Sequence, residues 1–130
     1  MTKPIHQSIT LPAKAAQIFD TFLDANAHGT VVGSKVSITR REGDRWKAFD
    51  GMLPGRNLRI VPERLIVQSW RSSGWKKDDD DSILVLAFSD TPEGGRIELT
   101  HVNVPTHDHR GVTEGWEKYY WRPWKKRLAR

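Results

Sequence analysis

From Ser34 to about Val104 the chain is a succession of short extended runs, each closed by glycine, proline or clustered charge. The runs are Lys35–Thr39, Arg45–Gly51, Arg56–Val61, Arg64–Arg71, Ser82–Ser89 and Arg96–Val104. The breaks are Arg41-Glu42-Gly43-Asp44, Leu53-Pro54-Gly55, Pro62-Glu63, the polar stretch Ser72–Asp81 and Thr91-Pro92-Glu93-Gly94-Gly95. Such residues reverse an extended chain, because glycine reaches positive φ and proline presets a turn. Strands in succession without intervening helices predict an antiparallel meander. The run Ile83–Phe88 is almost wholly apolar, which places its strand centrally in the sheet.

What flanks this block decides how the sheet is covered. Ile5, Gln7, Ile9 and Leu11 alternate and predict a further strand, the seventh. Pro12 suits a first helical position, and Ala15, Ile18, Phe19, Phe22 and Leu23 then recur at helical spacing. Asp24–His28 predicts another short turn, Gly29 a stop, and Val31-Val32-Gly33 a lead into the next strand. After Pro105, Val112, Trp116, Tyr119, Tyr120, Trp124 and Leu128 form one long apolar stripe. Pro123 falls within it and predicts a bend near Tyr119–Trp121. A twisted sheet of about seven strands curls. The terminal helix is the one element with enough apolar surface to cover the hollow side. The expected architecture is an α+β helix grip, one domain over residues 1–130. With 130 residues and 37% hydrophobic content, a second domain does not fit.

The space between sheet and helix is the first place to look for a site. Six tryptophans are high usage for this length. They admit two readings: rings that fill the gap, or rings that line a pocket. Period two puts Ile97, Leu99 and His101 on one strand face, and Leu84, Leu86 and Phe88 on one face of its neighbour. The candidate ligand-binding residues are therefore Trp46, Trp70, Phe88, Leu99, His101, Trp116 and Tyr120, with His101 as the polar handle. Bound there would be a small apolar molecule.

Other chemistries find little support. No cysteine is present, so disulfide, thiolate metal and cysteine-nucleophile chemistry are excluded; this suits a reducing, cytoplasmic setting. His107-Asp108-His109 is short of the three or four ligands of a zinc site, and Asp78–Asp81 lacks the spacing of a calcium loop, so no metal is expected. No nucleophile elbow, phosphate loop or dinucleotide fingerprint occurs, so neither catalytic residues nor a cofactor are expected. The net charge of +5 is dispersed over Arg40, Arg41, Arg45 and Lys47, over Arg56, Arg59 and Arg64, and over Lys125, Lys126, Arg127 and Arg130. That is a poor footprint for nucleic acid. No run is long enough to span a membrane. An exposed strand edge permits either a monomer or a homodimer.

Several stretches resemble a known family. They are Phe49-Asp50-Gly51, Gly55-Arg56-Asn57-Leu58 and Pro62 through Arg71, then Leu99-Thr100-His101 with Pro105, and Gly115 through Pro123. In order and spacing they are similar to the activator of heat-shock protein 90 ATPase homologue family, within the START-like superfamily. The resemblance runs from about Ile9 to Leu128. It is to the C-terminal module of the eukaryotic co-chaperone and to single-domain relatives, with no counterpart of the co-chaperone's N-terminal module. It implies the helix-grip fold already inferred, and two roles: accommodation of a small hydrophobic ligand, or contact with a chaperone partner. Some superfamily relatives are cyclases or hydrolases, which keeps a third, enzymatic, reading open. One departure is local: relatives often carry two glycines before the aromatic strand residue, where this chain has Gly43-Asp44-Arg45 before Trp46.

Overall fold

The computed structural model describes residues 2–128. Arg130, the last member of the basic tail cluster, lies outside them. Six strands form a single antiparallel sheet: β1 (Ile5–Leu11), β2 (Arg45–Ala48), β3 (Leu53–Val61), β4 (Leu65–Trp70), β5 (Ser82–Thr91) and β6 (Gly94–Val102). Their spatial order is β1-β6-β5-β4-β3-β2. The meander β2 to β6 is therefore unbroken, and β1 closes it at the far edge beside β6. Two helices, α1 (Ala15–Leu23) and α2 (Ala25–Val32), carry the chain from one edge of the sheet to the other.

The sheet has six strands rather than the expected seven, because the run Lys35–Thr39 makes only a single bridge. In Lys35–Thr39 the alternation is real, since Val36 and Ile38 are buried. Only Ser37 pairs, with Lys47. Residues 39–44 are instead drawn in by the buried Asn57, whose amide donates to the carbonyls of Thr39 (2.9 Å) and Arg41 (3.1 Å). Asn57 also exchanges backbone bonds with Gly43 and Asp44. Next to it the β3–β4 register slips, between Asn57 and Arg59.

Other boundaries also differ from expectation, among them the start of α1, which is Ala15 with Lys14 as N-cap and not Pro12. Strand β2 stops at Ala48 because Phe49, Asp50 and Gly51 turn at φ 52°, 56° and 92°. Leu53-Pro54-Gly55 is consequently not a turn but the start of β3. Helix α2 runs through Gly29 and ends at Gly33 (φ 70°), so Val31 and Val32 are helical. Gly29 is small for packing: a Cβ there would lie 2.9 Å from the Ser34 carbonyl of the returning chain.

The C-terminal segment begins with a 3-10 turn (Thr106–Asp108) and α3 (His109–Gly115). It passes through a π-helical stretch (Trp116–Trp121) and finishes as α4 (Arg122–Leu128). Pro123 neither stops the helix nor acts alone. The Arg122 N–H bonds to the Glu117 carbonyl, five residues back, so the register loosens just before the proline. The wider turn brings Trp116, Tyr120 and Trp121 together onto the sheet side, all buried. Trp121, outside the predicted stripe, stacks between Trp116 (5.6 Å) and Trp124 (6.4 Å) and donates to Gln7 Oε1 at 2.6 Å. The core is the inner sheet face together with α1 and these rings. None of the helices described is long and apolar enough to cross a membrane.

Candidate functional site

A cavity of about 350 Å³ opens where the β2–β3 turn faces the C-terminal helix. The turn contributes Phe49, Met52 and Leu53, and the end of β4 contributes Trp70 and Ser72. The opposite wall runs from Asp108 to Tyr120. The helix leaves this side open at Gly115, which stands four residues from Gly111 and hence on the same face. The Cβ that Gly115 lacks would have nothing nearer than Tyr119 Cδ2 at 3.6 Å. Met52 and Tyr119 are about half exposed and mark the mouth. Phe49 is held in the left-handed region, unusual for a bulky side chain, and its ring meets Tyr119 (5.7 Å) and Tyr120 (6.0 Å) edge-on.

Of the residues singled out from the sequence, Trp70, Trp116 and Tyr120 line this space. Trp46, Phe88, Leu99 and His101 are buried on the same inner face but do not line it. Trp46 lies across Gly55 and donates to the Ser69 carbonyl at 3.1 Å. Phe88 packs edge-on against Phe19 of α1 at 5.4 Å, under the other end of the sheet. Leu99 is 1% exposed, one pleat from His101. Period two gave the correct face; it carried no information about which part of that face the helix leaves uncovered.

His101 stands one layer behind the cavity wall. Its ring meets Trp70 edge-on at 4.8 Å. The Trp116 indole N–H can only donate, and it donates to His101 Nδ1 at 3.2 Å. The proton of the neutral ring is therefore on Nε2, which donates to Ser82 Oγ (2.7 Å); that hydroxyl donates in turn to the Trp70 carbonyl (2.8 Å). The Ser82–His101 pair thus cannot work as nucleophile and base. Its base nitrogen carries the proton, and both residues are fully buried. Burial holds the His101 pKa down at about 3.

A second histidine follows the same logic. His28 Nδ1 donates to the Phe22 carbonyl (2.8 Å), leaving Nε2 to accept from the Tyr120 hydroxyl (2.9 Å). Burial lowers its pKa to about 4, against the raising effect of the Phe22 bond, and pushes that of Tyr120 upward. Tyr120 therefore turns its ring to the cavity while its hydroxyl is tied to α2.

The other polar clusters diverge. His107 bonds Asp79 (2.8 Å), His109 bonds the Lys3 carbonyl (2.8 Å), and Asp108 accepts from the Trp75 indole (2.7 Å). Asp79 caps the Lys76 N–H (2.7 Å), and Asp81 pairs with Arg71 (2.6 Å). Among the described residues no group of three metal-ligating side chains converges.

Sequence reasoning passed over Phe49 and the small side chains of the helix wall. Signals for both were present: Asp50-Gly51 is a turn dipeptide that would end β2 early. Gly111 and Gly115, flanking Val112, form a notch on a helical face.

Comparison with known proteins places this geometry among relatives. The family profile described as Activator of Hsp90 ATPase homolog 1-like protein matches residues 12–128. An activator of 90 kDa heat shock protein ATPase homolog from Dictyostelium discoideum is 23% identical over 100 residues, 77% of this chain and 26% of that protein. The human homolog 1 is 24% identical over 114 residues, 86% of this chain and 32% of that protein. The chain thus spans about a quarter to a third of the length of these curated relatives. Among solved structures, an HSP90 activator from Plasmodium falciparum superposes with a TM-score of 0.83 at 20% identity, covering 93% of this chain and 92% of that one. The Aha1 dimer from Colwellia psychrerythraea gives 0.82 at 12% identity, covering 98% and 96%. At these identities the likeness establishes the shared helix-grip fold.

Proposed function

The chain belongs to the family of Activator of Hsp90 ATPase homolog 1-like proteins, and from that premise we propose that it is a binding module rather than a catalyst. Its site is the aromatic cavity between the β2–β3 turn and the C-terminal helix, and it takes one small, planar, apolar molecule. The observation that carries this reading is the cavity itself: about 350 Å³, walled by Phe49, Trp70, Trp116, Tyr119 and Tyr120. That volume lies within the range of small-molecule sites, with the usual apolar lining and few polar groups. His101 is a positioning residue here, since it orients the Trp116 and Trp70 rings from behind. Fold alone does not license an activity, and the buried Ser82–His101 pair has the wrong tautomer for one.

The test fills the notch. Methylnaphthalene is expected to bind with Kd on the order of 10–100 µM, from the usual affinity per ligand atom. Binding is followed through the Trp116 indole N–H resonance in two-dimensional nitrogen–proton NMR. Gly115→Leu should weaken it by about tenfold or more while the melting temperature is kept, because the new side chain occupies open space and improves helix propensity. Saturation that is identical in both proteins would place the ligand elsewhere and overturn the reading.

A second reading is favoured by the relatives and by one surface. A similar chain of matching size is described as an HSP90 activator. On the outer sheet face Arg45 stands directly opposite Arg56, with Lys47 two residues along β2. None of the three has a carboxylate within 4.0 Å among the described residues, whereas Arg40 is paired with Asp20. Like charges facing each other cost stability unless an anionic partner offsets them. This module would therefore contact an acidic surface of a heat-shock protein 90 homologue. Capture of that chaperone from low-salt buffer, abolished by the double reversal Arg45→Glu and Arg56→Glu, is the expected result. Equal capture by the reversed protein would remove the assigned surface, and no capture at low salt would remove the reading.

A further inference from the structure

The charge of the cavity wall selects among apolar ligands. Asp108 is the one formally charged residue of the lining, which has no lysine, arginine or histidine. One of its carboxylate oxygens, Oδ2, accepts from the Trp75 indole. The other, Oδ1, accepts no hydrogen bond and joins no ion pair among the described residues, and lies so close to Gly111 that a Cβ there would be 2.7 Å away. Glycine at 111 thus makes room for this oxygen at the cavity wall.

Around it the rings present faces with negative potential. Trp116 and Tyr120 lie 4.8 Å apart, Trp70 and Trp116 6.3 Å. Among the described residues, cations rest only on Trp75 (Arg71, 5.8 Å) and on Tyr119 at the mouth (Lys118, 5.2 Å). Phe49, Trp70, Trp116 and Tyr120 line the cavity and carry no cation among the described residues. A π-face attracts a cation, and more strongly once water is excluded. A carboxylate bearing a free acceptor does the same and repels an acid.

We propose that the cavity is specific for an apolar ammonium, an arylalkylamine-type cation whose N–H groups meet Asp108 Oδ1 and whose hydrocarbon body lies among Phe49, Trp70, Trp116 and Tyr120. This rests on the cavity being the ligand site. It adds that a fatty or aromatic acid is the wrong class of occupant despite the chain's net positive charge.

Three probes of one shape and one substitution pattern separate the claims: naphthylmethylammonium, naphthoate and methylnaphthalene, each titrated into the full chain and into Asp108→Asn. The readout is the Trp75 and Trp116 indole N–H resonances, which sit on either side of the carboxylate. Asparagine keeps the acceptor for the Trp75 indole, so the wall stays in place. The expected result is the ammonium binding about tenfold or more tighter than the neutral probe, with the acid weakest. In Asp108→Asn the ammonium should fall to about the level of the neutral probe, whose own affinity is unchanged. If methylnaphthalene binds and the ammonium shows no preference, or the acid binds as well as the ammonium, the specificity is wrong and the cavity reading stands. If none of the three binds, both fall.

Discussion

Acidification from pH 7 to pH 4 is expected to strip the protein of several kcal/mol of folding stability, starting well above the range in which carboxylates titrate. His28 and His101 are buried as neutral rings, with pKa values of about 4 and about 3 in place of the ordinary 6.5. Below pH 6.5 the unfolded chain takes up both protons and the folded chain does not. Stability is therefore fully present above pH 6.5 and lost as pH falls, down to about 4 for His28 and about 3 for His101. Two protons correspond to at most about 2.7 kcal/mol per pH unit. The structural cause is plain at His101, where a second ring proton on Nδ1 would point at the Trp116 indole N–H, 3.2 Å away. Urea unfolding at a series of pH values between 7.5 and 4.5 measures the slope, and His28→Gln should reduce it by roughly half. A flat profile over that range would mean that neither ring is buried neutral. Carboxylates add to the loss only at lower pH. Glu42 is held down chiefly by the Ile60 N–H, and Asp79 by its bond to His107, so their contributions persist until pH falls below the ordinary carboxylate range.

Gly55→Ala is expected to be strongly destabilising although it adds a single methyl. Gly55 pairs with Trp46 on one side and Trp70 on the other. An added Cβ would lie 2.0 Å from the Ser69 carbonyl, 2.4 Å from Trp46 Nε1 and 2.7 Å from Trp46 Cε2. The nearest of these is backbone of the adjoining strand, and the indole cannot swing away without losing its bond to that same carbonyl. Relief therefore requires either parting β3 from β4 or ejecting a buried tryptophan. Overpacking of that kind costs on the order of 3 kcal/mol, a large part of the stability of a domain this size. Thermal melting, with the Trp46 indole resonance as the local readout, checks it. A melting temperature within about 3 °C of the parent protein would show that the indole does not lie across the glycine.

Much of the fold is legible in the sequence. Glycine- and proline-punctuated alternation marks a meander, and the aromatic stripe after Pro105 marks its cover. Both follow from local periodicity, which side-chain direction along strand and helix makes visible. Boundaries were less legible where a distant residue decided them. Lys35–Thr39 has the alternation of a strand, yet Asn57, some twenty residues later, takes the carbonyls of Thr39 and, just beyond the run, Arg41. Pro54-Gly55 is turn chemistry in isolation; the two residues are extended because the reversal is already made at Phe49–Gly51 and because Trp46 needs a flat neighbour.

The candidate site divides in the same way. Trp70, Trp116 and Tyr120 were accessible to pattern reading, since large rings on inward positions must meet somewhere between sheet and helix. His101 was correctly placed on the inner face, but its character was not, because the tautomer follows from an indole on another element. Asp108 drew notice only as part of a histidine-flanked triplet. Its place in the cavity wall depends on where the helix starts and on the bond from Trp75, 33 residues earlier.

What the sequence by itself determined is the class of architecture, the faces of its strands and the wealth of aromatic surface at one interface. These are set by residue type and spacing within a few positions of each other. Only the tertiary structure decided that the interface is incompletely filled, which rings border the gap, and that its single formal charge is negative. Those properties arise from the separation and register of elements far apart in the chain, and no local period encodes the volume left between them.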